Sequence, residues 1–299
     1  MHVFLTGATG LIGRAVARAL LERGEQVTAL SRAPGGRGRL PPGTRAVVGD
    51  PVRPGRWQEE LLRADACVHL AGEPLDRGRW NAERRRVIRE SRIASTRCVA
   101  EVLGGAGPRV LVCGSAVGVY GDRGDEELDE SAAPGSGFLA ELGQEWEAAA
   151  TPARGRARVV ALRTGIVLAR DGGALPRMTL PFRLFAGGPL GDGRFWQPWI
   201  HLADEVGLIL LSLEHPGADG PLNAVAPNPV QNRDLARAIG KALNRPSVLP
   251  APALALRMAL GELASEVLAS QRAVPRKALG LGYRFRFPEV TAALRDLLG

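Results

Sequence analysis

A chain of 299 residues that is 45% hydrophobic and 23% charged carries enough apolar material for one large α/β core or two unequal ones, which excludes a disordered tail and a collagen-like fibre. No apolar run approaches the roughly 20 residues that cross a bilayer, so no transmembrane helix is expected. The net charge of +8 rests on 39 basic residues of which only Lys241 and Lys277 are lysines; the arginines are scattered without aromatic interleaving or a DNA-reading motif, which argues for a solvated surface and against a nucleic-acid partner.

The opening run VFLT leads straight into glycines, without the basic region or long apolar stretch of a signal peptide, so the chain is expected in the cytosol. Cys67, Cys98 and Cys113 are far apart and write neither a disulfide framework nor a CxxC knuckle. His2, His69, His201 and His215 are equally dispersed, so no metal site is expected.

In chain order, β-type runs alternate with helical periodicity: VFLT and then a helix over 11–22; VTAL and a turn-rich stretch; RAVVGD; ACVHLAG and a helix over 82–103; RVLVCGS and a helix over 137–150; then RVVALR. Leu11, Ile12, Ala15, Val16, Ala19 and Leu20 make an apolar stripe on the first helix, which Gly24 stops. Strands alternating with helices, joined by right-handed crossovers, predict an α/β fold with a doubly wound parallel Rossmann sheet. Beyond about residue 170 the texture turns to Gly, Pro and aromatic residues (PFRLFAGGPLGDGRFWQPW), predicting a loop and hairpin region that faces the substrate over about 170–245. Within it, helices are predicted over 203–214 and 231–243, with the strand PLNAVA between them. Pro246, Pro250 and Pro252 open an appended C-terminal element, 246–299, read as two helices, a strand LGYRFRF and a last helix after Pro288. The expected division is thus a main domain over 1–245 and a helical appendage over 246–299.

The segment Gly7-Ala8-Thr9-Gly10-Leu11-Ile12-Gly13 falls between the first strand and the first helix. Its glycines permit a tight turn, close approach to a pyrophosphate and packing on the sheet, while the helix N-terminus offers free N–H groups to the anion. An NAD-preferring site usually ends its second strand in a carboxylate that holds the ribose 2′-hydroxyl. Here that strand ends in Ser31-Arg32, a hydroxyl and a guanidinium that match a 2′-phosphate, so NADP(H) is the expected cofactor. Arg37 and Arg39 are candidate helpers. Asp50, after the third strand, is placed to accept from the adenine amino group, and Leu70, Ala71 and Gly72 end the fourth strand with little side-chain bulk beside the adenosine half.

GATGLIG, VHLAG, CGSAVGVYGD and WIHLADEV together resemble the extended short-chain dehydrogenase/reductases, the nucleotide-sugar epimerase superfamily. LAGEPL, RWNAERRRVIRESRIAST, LRTGIVLARDGGALPRM, GGPLGDGRFWQPWIH and SQRAVPRKAL–GYRFRFPE resemble an atypical epimerase-family subgroup with a short C-terminal domain of unknown function. The resemblance implies an NADP(H)-binding Rossmann fold, with Ser31, Arg32, Leu70, Ala71 and Arg92 on the subgroup's cofactor-contact motifs. It implies an oxidoreductase or epimerase acting on a hydroxyl or carbonyl carbon of a small, nucleotide-sugar-like molecule. The alternative is a non-catalytic module that senses NADP(H). Neither reading fixes the oligomeric state.

The superfamily's Tyr-x-x-x-Lys pair, in which the lysine lowers the tyrosine pKa, is absent. Neither Tyr120 nor Tyr283 is followed by a lysine four positions later, and if Glu147 marks the acidic position of the helix FLAELGQEWEAAA, Leu139 and Gly143 stand in the catalytic places. The remaining catalytic candidates are Ser115, on the superfamily's serine motif, Tyr120 and the carboxylate of Glu73. His201 reads as a satisfied core histidine, Trp196 and Trp199 as core closure or pocket wall, and Gln197 as a candidate substrate contact.

Overall fold

The computed structural model describes residues 1–33, 40–75, 80–105, 107–252, 256, 258, 261 and 263–299; Arg37 and Arg39 lie outside them. The predicted apolar runs form a parallel seven-stranded sheet: β1 (His2–Thr6), β2 (Gln26–Ser31), β3 (Arg45–Val48), β4 (Ala66–His69), β5 (Val110–Ala116), β7 (Arg158–Thr164) and β12 (Gly220–Ala224), in the spatial order β12-β7-β5-β4-β1-β2-β3. The chain leaves β1 in one direction towards β2 and β3 and returns on the other side at β4. That reversal opens a crevice at the carboxyl ends of β1 and β4, where ligands of doubly wound sheets bind.

Both faces of the sheet are covered, as buried parallel strands require. On one face, Val16, Ala17 and Leu20 of α1 (Leu11–Glu22) and Leu208, Ile209 and Leu213 of α6 (Leu202–Glu214) pack on Val3, Leu5, Val68 and Val160. On the other, Trp57 and Leu61 of α2 (Trp57–Leu62), Val99 and Leu103 of α3 (Ala82–Gly105) and Trp146 of α4 (Phe138–Ala148) pack on Phe4, Leu111 and Val159. Gly24 ends α1 as expected, with φ +76° and its N–H donating to the Leu21 carbonyl at 3.0 Å.

The segment after residue 170 is largely loop over 184–195, as expected, but regular elements flank that loop. It carries α5 (Leu175–Arg183), because Leu175, Thr179 and Phe182 share one buried face. The adjacent hairpin instead joins β8 (Ile166–Ala169) to β9 (Gly172–Gly173), and β8 also takes β11 (Trp199–His201) as a parallel partner. β10 (Trp196–Gln197) pairs with the distant β13 (Val230–Gln231), just before α7 (Asn232–Leu243).

In the C-terminal element, α8 (Leu263–Val267), α9 (Arg276–Gly280) and α10 (Val290–Leu298) form, and β14 (Arg272–Ala273) pairs in parallel with β6 (Glu127–Leu128). Val290, Ala293, Leu294 and Leu297 of α10 bury against Leu235 and Ile239 of α7. The expected strand LGYRFRF does not form. Its backbone is instead claimed by the buried Asp204, which accepts from the N–H groups of Arg286 (2.7 Å) and Phe287 (2.9 Å) and from the Tyr283 hydroxyl (3.1 Å). No described helix is long and apolar enough to cross a membrane.

Candidate functional site

A cleft of about 860 Å³ opens at the carboxyl ends of the central strands and collects residues from far apart in sequence: Gly7, Gly10, Leu70, Arg92, Ser115 and Thr164. Its floor is the glycine turn. Gly7 has φ +70°, and a β-carbon there would come within 2.6 Å of the Leu70 carbonyl carbon and oxygen. Gly10 caps α1 without any side-chain hydrogen bond, and no acidic residue occupies the helix's first turn. The opening N–H groups of α1 and its positive dipole end are therefore free for an anion, which fits a diphosphate. Leu11, Ile12 and Gly13 also line the cleft; Thr9 lies within the turn between Gly7 and Gly10.

At the far end of β2, Ser31 is buried and donates its hydroxyl to the Ala33 carbonyl at 2.9 Å. Arg32 is exposed and forms no ion pair with any described residue, so its guanidinium fork is available to a phosphate. Asp50 shapes the loop after β3, accepting from the Val52 N–H at 3.2 Å. Past β4, the Ala71 N–H donates to Thr6 Oγ1 (3.2 Å), which also meets His69 Nδ1 (2.7 Å). His69 is fully buried, and desolvation lowers its pKa to about 4, leaving a neutral ring that fixes the strand end.

Arg92, on α3, sits 8% exposed in the cleft wall next to Gly72. Nη1 donates to the Glu73 carbonyl oxygen at 2.9 Å and the guanidinium lies 5.0 Å over the Trp146 ring. Burial lowers its pKa to about 10, so it remains a cation at neutral pH, and no described carboxylate forms an ion pair with it. The Glu73 carboxylate pairs with Arg84 at 3.0 Å and does not line the cleft.

Ser115, next to last in β5, lies on the cleft wall. Its hydroxyl donates to Oε1 of Glu147 on α4 at 2.7 Å, and that carboxylate receives two parallel N–H bonds from Arg163 on β7, Nε to Oε1 at 2.8 Å and Nη2 to Oε2 at 2.9 Å. Burial works against the Arg163 charge, but the paired carboxylate more than restores it and raises the pKa. Arg163 Nη1 donates to the Tyr120 hydroxyl at 2.9 Å, and that hydroxyl also lies 2.7 Å from Asn223 Oδ1 and 3.0 Å from the Asp129 carbonyl oxygen. Tyr120 is fully buried behind the cleft, and burial raises its pKa. The five side chains thus form one hydrogen-bonded chain, with Ser115 the member that reaches the cleft.

Leu139 and Gly143 both line the cleft. Leu139 packs over Gly118, and a β-carbon on Gly143 would lie 2.9 Å from Val119 Cβ, so α4 presses directly on the turn that follows β5. Gln197 lines the cleft and accepts from Asn232 Nδ2 at 2.8 Å. His201 caps α6, its Nδ1 accepting from the Ala203 N–H at 3.0 Å, and lies against Phe287 with ring centroids 3.9 Å apart. Trp199 is core, whereas Trp196 donates to Asp125 at 2.6 Å outside the cleft.

The sequence reading gave no role to Arg163 and Asn223 and used Glu147 only as a marker. One signal was present: Arg163 ends the apolar strand run RVVALR and Asn223 interrupts PLNAVA, and a polar residue buried in a sheet needs a partner. Among the described residues no cluster of His, Cys, Asp or Glu is placed to hold a metal ion.

A glycine turn feeding an uncapped helix N-terminus, at the switch point of a parallel sheet, defines a Rossmann-type dinucleotide-binding protein. The chain belongs to the NAD dependent epimerase/dehydratase family, whose model matches residues 3–225, and residues 251–297 match a domain of unknown function, DUF1731. Both are what the motif resemblance implied. Over 302 residues the chain is 38% identical to the Arabidopsis thaliana epimerase family protein SDR39U1 homolog, chloroplastic, covering 100% of this chain and 87% of the plant protein. It is also 38% identical over 305 residues to the epimerase family protein SDR39U1 of Bos taurus, covering 100% of both. The crystal structure of human SDR39U1 (isoform2) with NADPH matches with a TM-score of 0.88 at 35% identity, covering 100% of this chain and 99% of that one.

Proposed function

We propose that this protein is an NADP(H)-dependent oxidoreductase or epimerase-like enzyme acting at a hydroxyl or carbonyl carbon, with Ser115 and Glu147 replacing the missing tyrosine and lysine. The reading is carried by the 2.7 Å bond from the Ser115 hydroxyl to Glu147 on the wall of the cleft that holds the glycine turn. In support, the first turn of α1 offers uncapped N–H groups that suit a diphosphate, Arg32 is an exposed guanidinium that suits a 2′-phosphate, and Arg92 contributes positive charge beside Gly72. When bound, the nicotinamide supplies hydride to a carbonyl carbon or takes it from a carbinol carbon.

The protein's own part is the proton. Because Ser115 directs its hydrogen to Glu147, the lone pairs of Oγ are free to accept the hydrogen of a substrate hydroxyl. As hydride leaves the carbinol carbon, the substrate's hydroxyl proton passes to Ser115 Oγ and the serine's own proton passes to Glu147 Oε1. Carbonyl reduction runs the same two transfers backwards. Arg163 holds the carboxylate in a fixed fork, and Tyr120, committed to Arg163 and Asn223, buttresses that fork without touching substrate.

The test is NADPH consumption over a panel of carbonyl compounds, with NADPH affinity measured in parallel by calorimetry. Ser115→Ala and Glu147→Gln should each hold NADPH within about twofold of the parent and lower turnover by about 10²–10⁴. Full turnover in both variants overturns the relay. Tight NADPH binding by the parent, without turnover of any compound, favours the cofactor-sensing module.

A further inference from the structure

Beyond the reacting centre the same cleft runs between α4, α5, α7 and the C-terminal element, and its walls there are aliphatic and aromatic: Leu142, Phe182, Leu235, Ile239, Leu249 and Leu263 among them. Among the described residues the polar side chains on that side are few, and Asn232 and Arg177 are engaged within the chain. Asn232 donates to Gln197 at 2.8 Å and accepts from the Leu190 N–H at 2.7 Å. Arg177 is the one cation lining that half among the described residues, and it too is engaged within the chain. A nucleoside diphosphate would need donors for two phosphates, and sugar hydroxyls would need partners of their own; burying them unpaired carries the full cost of desolvation.

Leu249, which lines the cleft, belongs to an exposed apolar patch. Leu184, Phe185, Val248 and Leu249 are more than half exposed. They are brought together where the Leu249 N–H donates to the Gly187 carbonyl at 3.1 Å and the Ala251 N–H to the Pro189 carbonyl at 2.8 Å, with the Arg245 guanidinium 4.5 Å over the Phe185 ring. A rim of exposed apolar side chains continuous with an apolar interior marks a binding route.

We infer that the substrate is an apolar molecule, an alkyl or fused-ring body bearing one hydroxyl or carbonyl that reaches Ser115. This deepens the oxidoreductase reading and rests on it for the placement of the reacting group. The apolar walls supply the binding, and Ser115 meets the polar end.

The experiment uses the full chain saturated with NADPH and titrates 2-alkanones from hexanone to decanone, with UDP-glucose as the polar comparison, following heat and tryptophan fluorescence. Each added methylene buried in the cleft should tighten binding about fourfold. Leu249→Glu, a change at a half-exposed rim position, should weaken 2-decanone by tenfold or more and leave NADPH affinity in place. A flat series, or UDP-glucose bound more tightly than 2-decanone, overturns the inference. The chain-length slope is a binding measurement, so if it stands while no alkanone is turned over, the apolar site is supported and the oxidoreductase reading is what fails.

Discussion

Gly13, in the first turn of α1, lies so close to Gly7 that a β-carbon on it would come within 2.3 Å of the Gly7 carbonyl oxygen. Helix and turn are therefore packed backbone on backbone, and the geometry of the anion cradle depends on the missing methyl. Gly13→Ala must push α1 away from the turn, and we expect a loss of about 1–3 kcal/mol in stability and at least tenfold in NADPH affinity. Gly24→Ala is the control: at φ +76° with open space around it, it should cost about 1 kcal/mol without touching cofactor affinity. Urea denaturation and calorimetry on both variants measure the two effects, and equal affinity losses would refute the cradle.

Arg32 is exposed at the end of β2 and free of ion pairs with described residues. The extra phosphate of NADPH is the one feature that separates it from NADH at this point, so Arg32→Ala should weaken NADPH by about 10–100-fold and leave NADH nearly unchanged. Paired titrations of the two coenzymes decide it. Equal losses would move the specificity to another part of the cleft.

The fold was legible where the information was local. Each parallel strand is an apolar run next to a helical stripe, and the cradle is a contiguous stretch from Gly7 to Gly13. The reading failed where a distant group claims the backbone. LGYRFRF has the aromatic alternation of a strand, yet Asp204, some 80 positions earlier, takes two of its N–H groups and the segment never joins a ladder. PFRLFAGGPLGDGRFWQPW is loop over 184–195, as its composition says, while the buried face of α5 overrides it at one end and pairing with β13 fixes the other. The Ser115–Glu147–Arg163–Tyr120–Asn223 chain was illegible as a unit because its members come from four separate segments, and only sheet order brings β5, β7 and β12 side by side.

Tyr120 separates a buttress from a proton carrier. It is fully buried, and its hydroxyl is shared among Arg163, Asn223 and the Asp129 carbonyl. Tyr120→Phe leaves Asn223 Oδ1 and one Arg163 N–H short of a partner, so stability should fall by about 1–3 kcal/mol. Turnover should fall modestly, with an unchanged pH profile, because the phenol never exchanges a proton with substrate. A shift of the pH optimum in this variant would place Tyr120 in the chemistry.

Glu205 gives the protein a pH-dependent stability. It is fully buried on α6, Oε1 accepts from Thr164 Oγ1 at 2.9 Å, and Oε2 has no hydrogen-bond partner. Burial raises its pKa from 4.5 to about 8, opposed by the Thr164 bond. Between those two values the folded chain keeps a proton that the unfolded chain releases, so stability is greatest below the unfolded value, declines as pH rises through the window and levels off above the folded value. From about pH 5 to about pH 8 this amounts to roughly 3 kcal/mol. Glu205→Gln keeps an acceptor for Thr164 and has nothing to titrate. Urea unfolding of parent and variant at the two pH values should therefore show the parent losing about 3 kcal/mol more than the variant. Parallel losses would assign the ionisation to a different group.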